Sequence, residues 1–142
     1  MKAEVKPLRE VTPGTVQELD GLLGQLSSTA GHVDRDQLVK VIECPTNTVL
    51  VARYADAMVG MLTLVVFPIP SGVRAWIEDL VVAAEVRGEG IGAALMLEAV
   101  RRARAAGARS VDLTSRPSRA AANRLYERLG FEERDSKVYR LP

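Results

Sequence analysis

The feature that most constrains this chain is a glycine-rich loop between a predicted strand and a predicted helix. The loop reads Arg87-Gly88-Glu89-Gly90-Ile91-Gly92 and follows a strand-like run over residues 75–82. Glycine has no Cβ, so backbone N–H groups can approach a ligand closely, and the first N–H groups of a helix have no intrahelical acceptor. The helix dipole and the Arg87 side chain add positive charge. The loop is therefore typical of a phosphate or pyrophosphate site.

Length and charge restrict the class of protein. The 142 residues are enough for one domain, predicted over residues 1–142, that buries its own core without metal ions or disulfides. Residues 1–73 carry 6 Lys/Arg against 8 Asp/Glu, whereas residues 74–142 carry 13 against 10, so the basic part contains the glycine loop. Because the arginines are scattered and aromatic residues are few, the sequence disfavours a nucleic-acid partner.

Location and metal content are predicted from what the sequence lacks. No apolar run reaches the roughly 18 residues of a membrane span, so no membrane partner is expected. The one cysteine, Cys44, does not support a disulfide framework and favours a cytoplasmic location. One histidine and one cysteine also disfavour a metal site.

Hydrophobic periodicity and turn residues predict a chain that mixes helices with strands. The predicted helices begin at Thr12-Pro13, cover Asp34 to Ile42 with Asp34 as the N-cap, begin near Gly90, and cover Ser118 to Leu129. The predicted strands are 5–10, 49–54, 58–67, 74–82, 110–114, 131–135 and 137–141, with Ala55-Asp56-Ala57 as a hairpin turn. This order of elements predicts an α+β (α/β layered) domain with a mixed sheet.

Two nucleotide-binding motifs share glycines with this loop, and both fit it poorly. A P-loop requires Lys-Ser or Lys-Thr after its last glycine, and neither follows here. The segment Gly88-Glu89-Gly90-Ile91-Gly92-Ala93 does satisfy the relaxed dinucleotide pattern G-x-G-x-x-[GA]. However, only about 50 residues follow it, and the acidic residue expected at the end of the next strand is missing. The dinucleotide interpretation is therefore disfavoured.

A second motif changes the interpretation of the loop. Written as Arg87-x-x-Gly90-x-Gly92, the loop resembles the [QR]-x-x-G-x-[GA] motif of the GNAT superfamily of acetyl-CoA-dependent N-acetyltransferases. The segment Ala122-Asn123-Arg124-Leu125-Tyr126-Glu127-Arg128-Leu129-Gly130-Phe131 resembles the A-x-x-L-Y-x-x-x-G-F segment of that family. The order of elements also agrees, so the resemblance covers nearly the whole chain. It implies a GNAT-like fold, with a mixed central sheet flanked by helices.

The resemblance implies where acetyl-CoA would bind as a co-substrate. In the family, the motif loop and the following helix hold the pyrophosphate of coenzyme A, a role that falls here on Arg87, Gly88, Glu89, Gly90, Ile91 and Gly92. The preceding strand bulges and offers its backbone to the pantetheine arm and the thioester oxygen, which implicates Leu80, Val81 and Val82.

The start of the last predicted helix departs from the family pattern. Arg119 stands where some relatives have asparagine, so Asn123 is the candidate polar contact to coenzyme A. Arg116 and Arg119 are candidates for the 3′-phosphate.

Acetyl transfer to an amine requires a base for the amine and benefits from an acid at the leaving thiolate. Glu78 is predicted to deprotonate the amine, directly or through water. Strict alternation puts Glu78 and Asp79 on opposite faces of the strand, but a bulge would upset it, so either carboxylate is a candidate. By resemblance, Tyr126 is the general acid, since a phenol with a pKa near 10 can protonate a thiolate.

The sequence thus predicts an N-acetyltransferase that moves the acetyl group of acetyl-CoA directly to a primary amine. The alternative is a non-catalytic acyl-CoA-binding or sensor module on the same fold. The acceptor stays open among a protein N-terminus or lysine, a polyamine, an aminoglycoside and an amino acid. The resemblance is also compatible with a homodimer.

Overall fold

Four α-helices and five strands make up the regular structure of residues 2–26 and 32–142, the part of the chain that the computed structural model describes. In chain order they are β1 (Glu4–Pro7), α1 (Pro13–Leu26), α2 (Arg35–Glu43), β2 (Asn47–Tyr54), β3 (Ala57–Ile69), β4 (Gly72–Val82), α3 (Ile91–Ala105), β5 (Val111–Asp112) and α4 (Ala120–Arg128). A short 3₁₀ turn, Ala84–Val86, connects β4 to the glycine loop. The loop predicted for residues 27–31 lies outside the described residues.

The strands form one sheet in the order in which they occur along the chain. β1 to β4 are antiparallel neighbours, and β5 pairs with β4 in parallel after the α3 crossover. The turn between β2 and β3 consists of Ala55 and Asp56, whose φ angles of 50° and 67° are those of a tight hairpin turn. The predicted hairpin and the predicted mixed sheet are therefore confirmed.

Local signals in the sequence set the start of the first two helices. The Asp34 carboxylate accepts a hydrogen bond from the N–H of Gln37 at 2.8 Å, which confirms the predicted N-cap of α2. At the start of α1, the N–H of Thr15 donates to Thr12 Oγ1 at 3.1 Å, and the N–H of Thr12 donates to Thr15 Oγ1 at 2.9 Å. This reciprocal pair satisfies two backbone donors at the helix start.

Each face of the sheet is covered by its own hydrophobic core. On one face, α3 and α4 cover buried side chains that include Leu50 and Ile77. On the other face, α1 and α2 cover buried side chains that include Val51 and Val81. Burial of one such aliphatic side chain contributes roughly 1.5–3 kcal/mol. The sheet therefore divides the molecule into an α3–α4 layer and an α1–α2 layer.

The two final strands of the prediction, 131–135 and 137–141, are wrong. Residues 131–142 contain neither helix nor strand. Residues 132–142 form no hydrogen bond or ion pair with the described residues, and Val138, Tyr139 and Leu141 are 73%, 86% and 97% exposed. A β-prone segment becomes a strand only where a ladder partner is present. The described part of the chain provides no ladder partner for residues 131–142.

Candidate functional site

The glycine loop ends at a helix start that no side chain caps. Gly90 is the N-cap of α3 with φ 83°, and Gly88 has φ 84°, both in the left-handed region that favours glycine. A Cβ at either position would meet no atom within 4 Å, so open space faces the loop. Among the described residues, the backbone N–H groups of Ile91, Gly92 and Ala93 have no acceptor. A bound anion would supply one.

Gly92 has a packing role that the motif did not predict. A Cβ at this position would lie 3.1 Å from Leu125 Cδ2 on α4 and 3.7 Å from Val82 Cγ2 on β4. The missing side chain therefore lets the first turn of α3 approach both elements. Because Leu125 belongs to the second sequence motif, the structure brings the two motifs into contact at one end of the sheet.

Arg87 is exposed at the end of β4, where its position is fixed by one hydrogen bond. Its Nε donates to the carbonyl oxygen of Val82 at 3.3 Å. This bond holds a guanidinium group next to the uncapped start of α3. Glu89 lies between the two glycines of positive φ and is exposed as well. Because Glu89 is acidic, the positive potential of the loop comes from the backbone N–H groups at the start of α3 and from the Arg87 guanidinium.

β4 contains a bulge at the two candidate carboxylates. On β3, Met61 and Thr63 are two residues apart, whereas their partners on β4, Val81 and Glu78, are three residues apart. β4 therefore contains one extra residue at this point. The extra residue is accommodated at Asp79, whose φ of 54° lies in the left-handed region. From this point the alternation of side chains along β4 is shifted by one residue.

The bulge agrees with the one that the resemblance implies for this strand, and it breaks the alternation of side chains along β4. Ile77 belongs to the core under α3 and α4, whereas Val81 belongs to the core under α1 and α2. Strict alternation would have placed both in the same core. Glu78 shares a face with its cross-strand partner Thr63, and Asp79 lines the same α1–α2 side. Both carboxylates therefore face the α1–α2 layer.

The edge of β4 next to β5 is open over most of its length. The parallel pairing consists of Ala75↔Val111 and Trp76↔Asp112, and no described strand continues beside residues 77–82 on that side. Two strands that diverge leave backbone N–H and C=O groups facing a gap. An extended ligand can enter such a gap and form hydrogen bonds as an additional strand.

Backbone direction decides which of Leu80, Val81 and Val82 can contact that ligand. The N–H of Ala83 donates to the carbonyl oxygen of Val59 on β3 at 2.8 Å. Alternate residues point their backbone groups to opposite edges of a strand, so Val82 faces the gap and Val81 faces β3. Of the three predicted residues, Val82 has the most direct access through its N–H group, and Val81 has the least.

The two carboxylates differ in their environment. Glu78 is exposed and accepts a hydrogen bond from the indole N–H of Trp76. Asp79 has no hydrogen-bond partner among the described residues. Desolvation by the surrounding protein raises the pKa of the Asp79 carboxyl, although Asp79, like Glu78, is exposed. A raised pKa makes a carboxylate a better proton acceptor near neutral pH, so Asp79 is the stronger candidate base.

Tyr126 lies in the α3–α4 layer, on the other face of the sheet from the carboxylates. It is 8% exposed, and its ring centroid is 6.3 Å from that of Phe131. Burial raises the pKa of the Tyr126 phenol, and the charge of Arg119 opposes the rise. Among the described residues, the hydroxyl has no hydrogen-bond partner. A phenol that stays protonated and lacks a protein partner can donate to a ligand.

The remaining predicted contacts lie at the start of α4. Asn123 Nδ2 donates to the carbonyl oxygen of Arg116 at 3.1 Å, so this amide holds the loop that precedes α4. Its carbonyl oxygen is left for other contacts. Arg116 and Arg119 are exposed. The structure thus gives Asn123 a structural bond that the sequence did not predict, beside its predicted ligand contact.

Two further groups at the site have no local sequence signal. Ser115 Oγ, in the segment that leaves β5, is buried and has no hydrogen-bond partner within residues 2–26 and 32–142. A cavity of about 280 Å³ lies between α1, α2 and the sheet, with Thr63 and Asp79 among its lining residues. An isolated serine belongs to no motif, and the cavity is lined by side chains from distant parts of the chain. Neither could be found without the fold.

Comparison with known proteins identifies the class of protein. The model of the Acetyltransferase (GNAT) family matches residues 22–131, a range that contains the bulge, the glycine loop and the Leu125-Tyr126 segment. The chain belongs to this family, which confirms the resemblance given by the two motifs and the expected enzyme class, an acetyltransferase. A comparison with curated protein sequences finds no match.

Solved structures similar to this chain include three acetyltransferases. The aminoglycoside acetyltransferase meta-AAC0020 from an uncultured soil metagenomic sample has a TM-score of 0.85 and 21% identity, over 99% of this chain and 96% of that chain. Glucosamine-6-phosphate N-acetyltransferase from Arabidopsis thaliana has a TM-score of 0.83 and 16% identity, over 99% of both chains. AAC(6′)-Iy in complex with the bisubstrate analog CoA-S-monomethyl-acetylneamine has a TM-score of 0.80 and 16% identity, over 100% of this chain and 99% of that chain. At these identities the likeness shows the shared fold alone.

Within residues 2–26 and 32–142, no helix is both long enough and apolar enough to cross a membrane. Those ranges also contain no group of three or more His, Cys, Asp or Glu side chains placed to hold a metal ion.

Proposed function

We propose that the protein transfers the acetyl group of acetyl-CoA directly to the nitrogen of a primary amine, in one domain spanning residues 1–142. The observation that carries the proposal is the open edge of β4, which has an uncapped helix start at one end and two carboxylates at the other. This arrangement suits an extended thioester whose pyrophosphate lies at α3 and whose acyl group lies near the bulge.

Donor binding is proposed to rest on the backbone and on few side chains. The residues from Arg87 to Gly92 would hold the pyrophosphate through N–H groups and one guanidinium. The N–H of Val82 would bond the pantetheine arm or the thioester oxygen, with Leu80 and Val81 beside it. Asn123, with Arg116 and Arg119, would contact the adenosine part from the start of α4.

The reaction that fits these groups is a direct acyl transfer. The neutral amine nitrogen attacks the thioester carbonyl carbon, an N–C bond forms, the C–S bond breaks, and the sulfur leaves as a thiolate. Asp79, or Glu78 through water, takes the amine proton on the α1–α2 side. Tyr126 donates its proton to the thiolate on the α3–α4 side. Base and acid thus approach the gap between β4 and β5 from opposite faces of the sheet.

The test of this function is acetyl transfer by the wild type and by Tyr126→Phe. Purified protein is mixed with acetyl-CoA and a panel of amines, and the released coenzyme A thiol and the mass of the N-acetyl product are measured. Loss of the phenol should lower kcat by about 100-fold, the effect of removing one general acid. Affinity for acetyl-CoA, measured by calorimetry, should not change.

Tyr54→Phe is the matched control, because it removes a hydroxyl from a tyrosine that is 44% exposed at the end of β2. This variant should retain the wild-type kcat. If the wild type acetylates no amine in the panel, the proposed function is wrong. If Tyr126→Phe keeps both its kcat and its affinity, only the assignment of the acid is wrong.

We also propose that two copies of the chain form a homodimer through residues 132–142. Val138, Tyr139 and Leu141 are exposed apolar side chains, and β5 is the last strand of the sheet, with no described strand at its outer edge. A segment that lacks a ladder partner and an open edge on one molecule suit reciprocal pairing between two. Light scattering should give twice the chain mass of 15.4 kDa, and Tyr139→Asp with Leu141→Asp should give the monomer mass. A monomeric wild type would refute the dimer.

A cytoplasmic location is proposed on composition. The one cysteine of the sequence, Cys44, is a free thiol in the structure, and proteins of reducing compartments retain such thiols.

A further inference from the structure

The cavity between α1, α2 and the sheet has predominantly apolar walls. Leu19 and Leu23 line it from α1, Val41 from α2 and Met61 from β3. Its volume of about 280 Å³ lies at the lower limit of the roughly 300–1,000 Å³ of small-molecule pockets. The polar side chains among the described lining residues are His32, Gln37, Thr63 and Asp79. A ligand with more hydroxyl groups than these side chains can serve would leave the others without hydrogen bonds, which is unfavourable. The cavity therefore suits a small ligand with an apolar body.

Negative charge among the described lining residues is concentrated at one carboxylate. Among the described lining residues, Asp79 is the one that carries a carboxylate, and it lies at the end of the cavity nearest the β4 bulge. The nearby Asp20 is already engaged, since His32 Nδ1 lies 3.0 Å from one of its oxygens and the N–H of Val33 donates to the other at 3.0 Å. One available carboxylate can neutralise one ammonium group. A second ammonium would find no second carboxylate among the described lining residues.

We infer that the acceptor is a small primary monoamine with an apolar body, an alkylamine or arylalkylamine, whose ammonium group meets Asp79 and whose body lies between α1 and α2. The inference rests on the proposed acetyltransferase function. It places the amine nitrogen beside the bulge, where the open edge of β4 begins. It also excludes polyamines and aminoglycosides as preferred acceptors, because they carry several charges and, in the second case, many hydroxyl groups.

The experiment compares amines that share a reactive amino group but differ in the rest of the molecule. Pentylamine and 2-phenylethylamine are tested against spermidine, kanamycin, glucosamine and a peptide with a free N-terminus, with kcat/KM taken from coenzyme A release. The two apolar monoamines should exceed each of the others by about tenfold or more. Asp79→Asn should lower kcat/KM for 2-phenylethylamine by about 100-fold, because the ammonium loses its counter-charge and its proton acceptor.

A gain-of-function variant tests the walls of the cavity directly. Val41→Asp places a second carboxylate on the α2 wall and should raise kcat/KM for spermidine relative to 2-phenylethylamine by about tenfold. Val39→Asp is the matched control, since Val39 is half-buried on the same helix but does not line the cavity. It should leave the ratio unchanged.

The outcomes separate this inference from the function on which it rests. If the wild type acetylates amines but prefers spermidine, kanamycin, glucosamine or the peptide, the inference about the acceptor is overturned and the acetyltransferase function stands. If Val41→Asp and Val39→Asp shift the ratio equally, the cavity is not the acceptor site. If no amine is acetylated although acetyl-CoA binds, the proposed function fails first.

Discussion

The proposed donor side and the proposed acceptor side of this molecule are built from different parts of the polypeptide. On the donor side, the contacts are backbone groups: two glycines with positive φ, the uncapped start of α3 and the open edge of β4. On the acceptor side, the contacts are side chains from α1, α2, β3 and β4 around a cavity of about 280 Å³. Backbone geometry depends on a short stretch of sequence, whereas a cavity depends on elements far apart in the chain.

This difference predicts two patterns of sensitivity to mutation. A backbone site is damaged by adding a side chain where none exists, and it tolerates most exchanges of the side chains around it. A side-chain site is damaged by changing the charge or shape of single residues, and its specificity can be altered in the same way. Donor binding should therefore be common to relatives of this chain, and acceptor choice should be particular to it.

The largest effect is expected from Gly90→Asp. The new side chain adds negative charge at the anion site and strains a residue with φ 83°. Affinity for acetyl-CoA, measured by calorimetry, should fall by about 100-fold, since charge-assisted hydrogen bonds contribute roughly 1.5–3 kcal/mol each.

Gly107→Asp is the control for this variant, because Gly107 follows α3 with φ 84° and also has open space at its missing Cβ. It introduces the same charge and the same backbone strain at the other end of the helix. Its affinity for acetyl-CoA should match that of the wild type. Equal losses in the two variants would mean that strain, and not the anion site, explains the result.

A smaller effect is expected from Asp79→Asn, on stability in the absence of substrates. The folded state raises the pKa of Asp79 above its ordinary 3.8, so the folded protein binds the proton more tightly than the unfolded chain does. The ionised carboxylate thus destabilises the fold above the raised pKa, and this penalty disappears as the pH falls below 3.8. Asparagine should raise Tm at pH 7 by a few degrees at most.

The pH dependence of this stability difference identifies its cause. Asparagine also tolerates a φ of 54° well, but that contribution does not vary with pH. Thermal unfolding of the two proteins between pH 3 and pH 7 should show a gap that widens with pH. A constant gap for Asp79→Asn would show that the carboxylate is not destabilised by burial.

Much of the fold could be predicted because its signals are local. The N-cap at Asp34, the hairpin turn at Ala55 and the glycine loop each depend on a few neighbouring residues. The family followed from two motifs that the structure places in contact through Gly92 and Leu125. The predicted loop follows β4 after one short turn, and of the predicted β4 residues Val82 faces the open edge whereas Val81 faces β3.

The parts that could not be predicted depend on pairing or on packing. The resemblance implied a bulge in this strand, but its exact place at Asp79 is a property of the register between β3 and β4, so the face of each side chain beyond it could not be predicted. Residues 131–142 have strand-forming composition, but a strand requires a neighbour, and composition does not supply one. The cavity and the unpartnered hydroxyl of Ser115 exist only once distant elements have packed.

The short parallel ladder between β4 and β5 also has a consequence for the order of folding. The β2–β3–β4 meander forms from contacts close in sequence, so its loop-closure entropy is small. Pairing of Ala75 with Val111 must instead close a loop of roughly 35 residues, and only two residue pairs offset that entropy. The meander should therefore be formed in the transition state while this ladder is not. The gap that is proposed to receive the donor is therefore bordered by a ladder that forms after the meander.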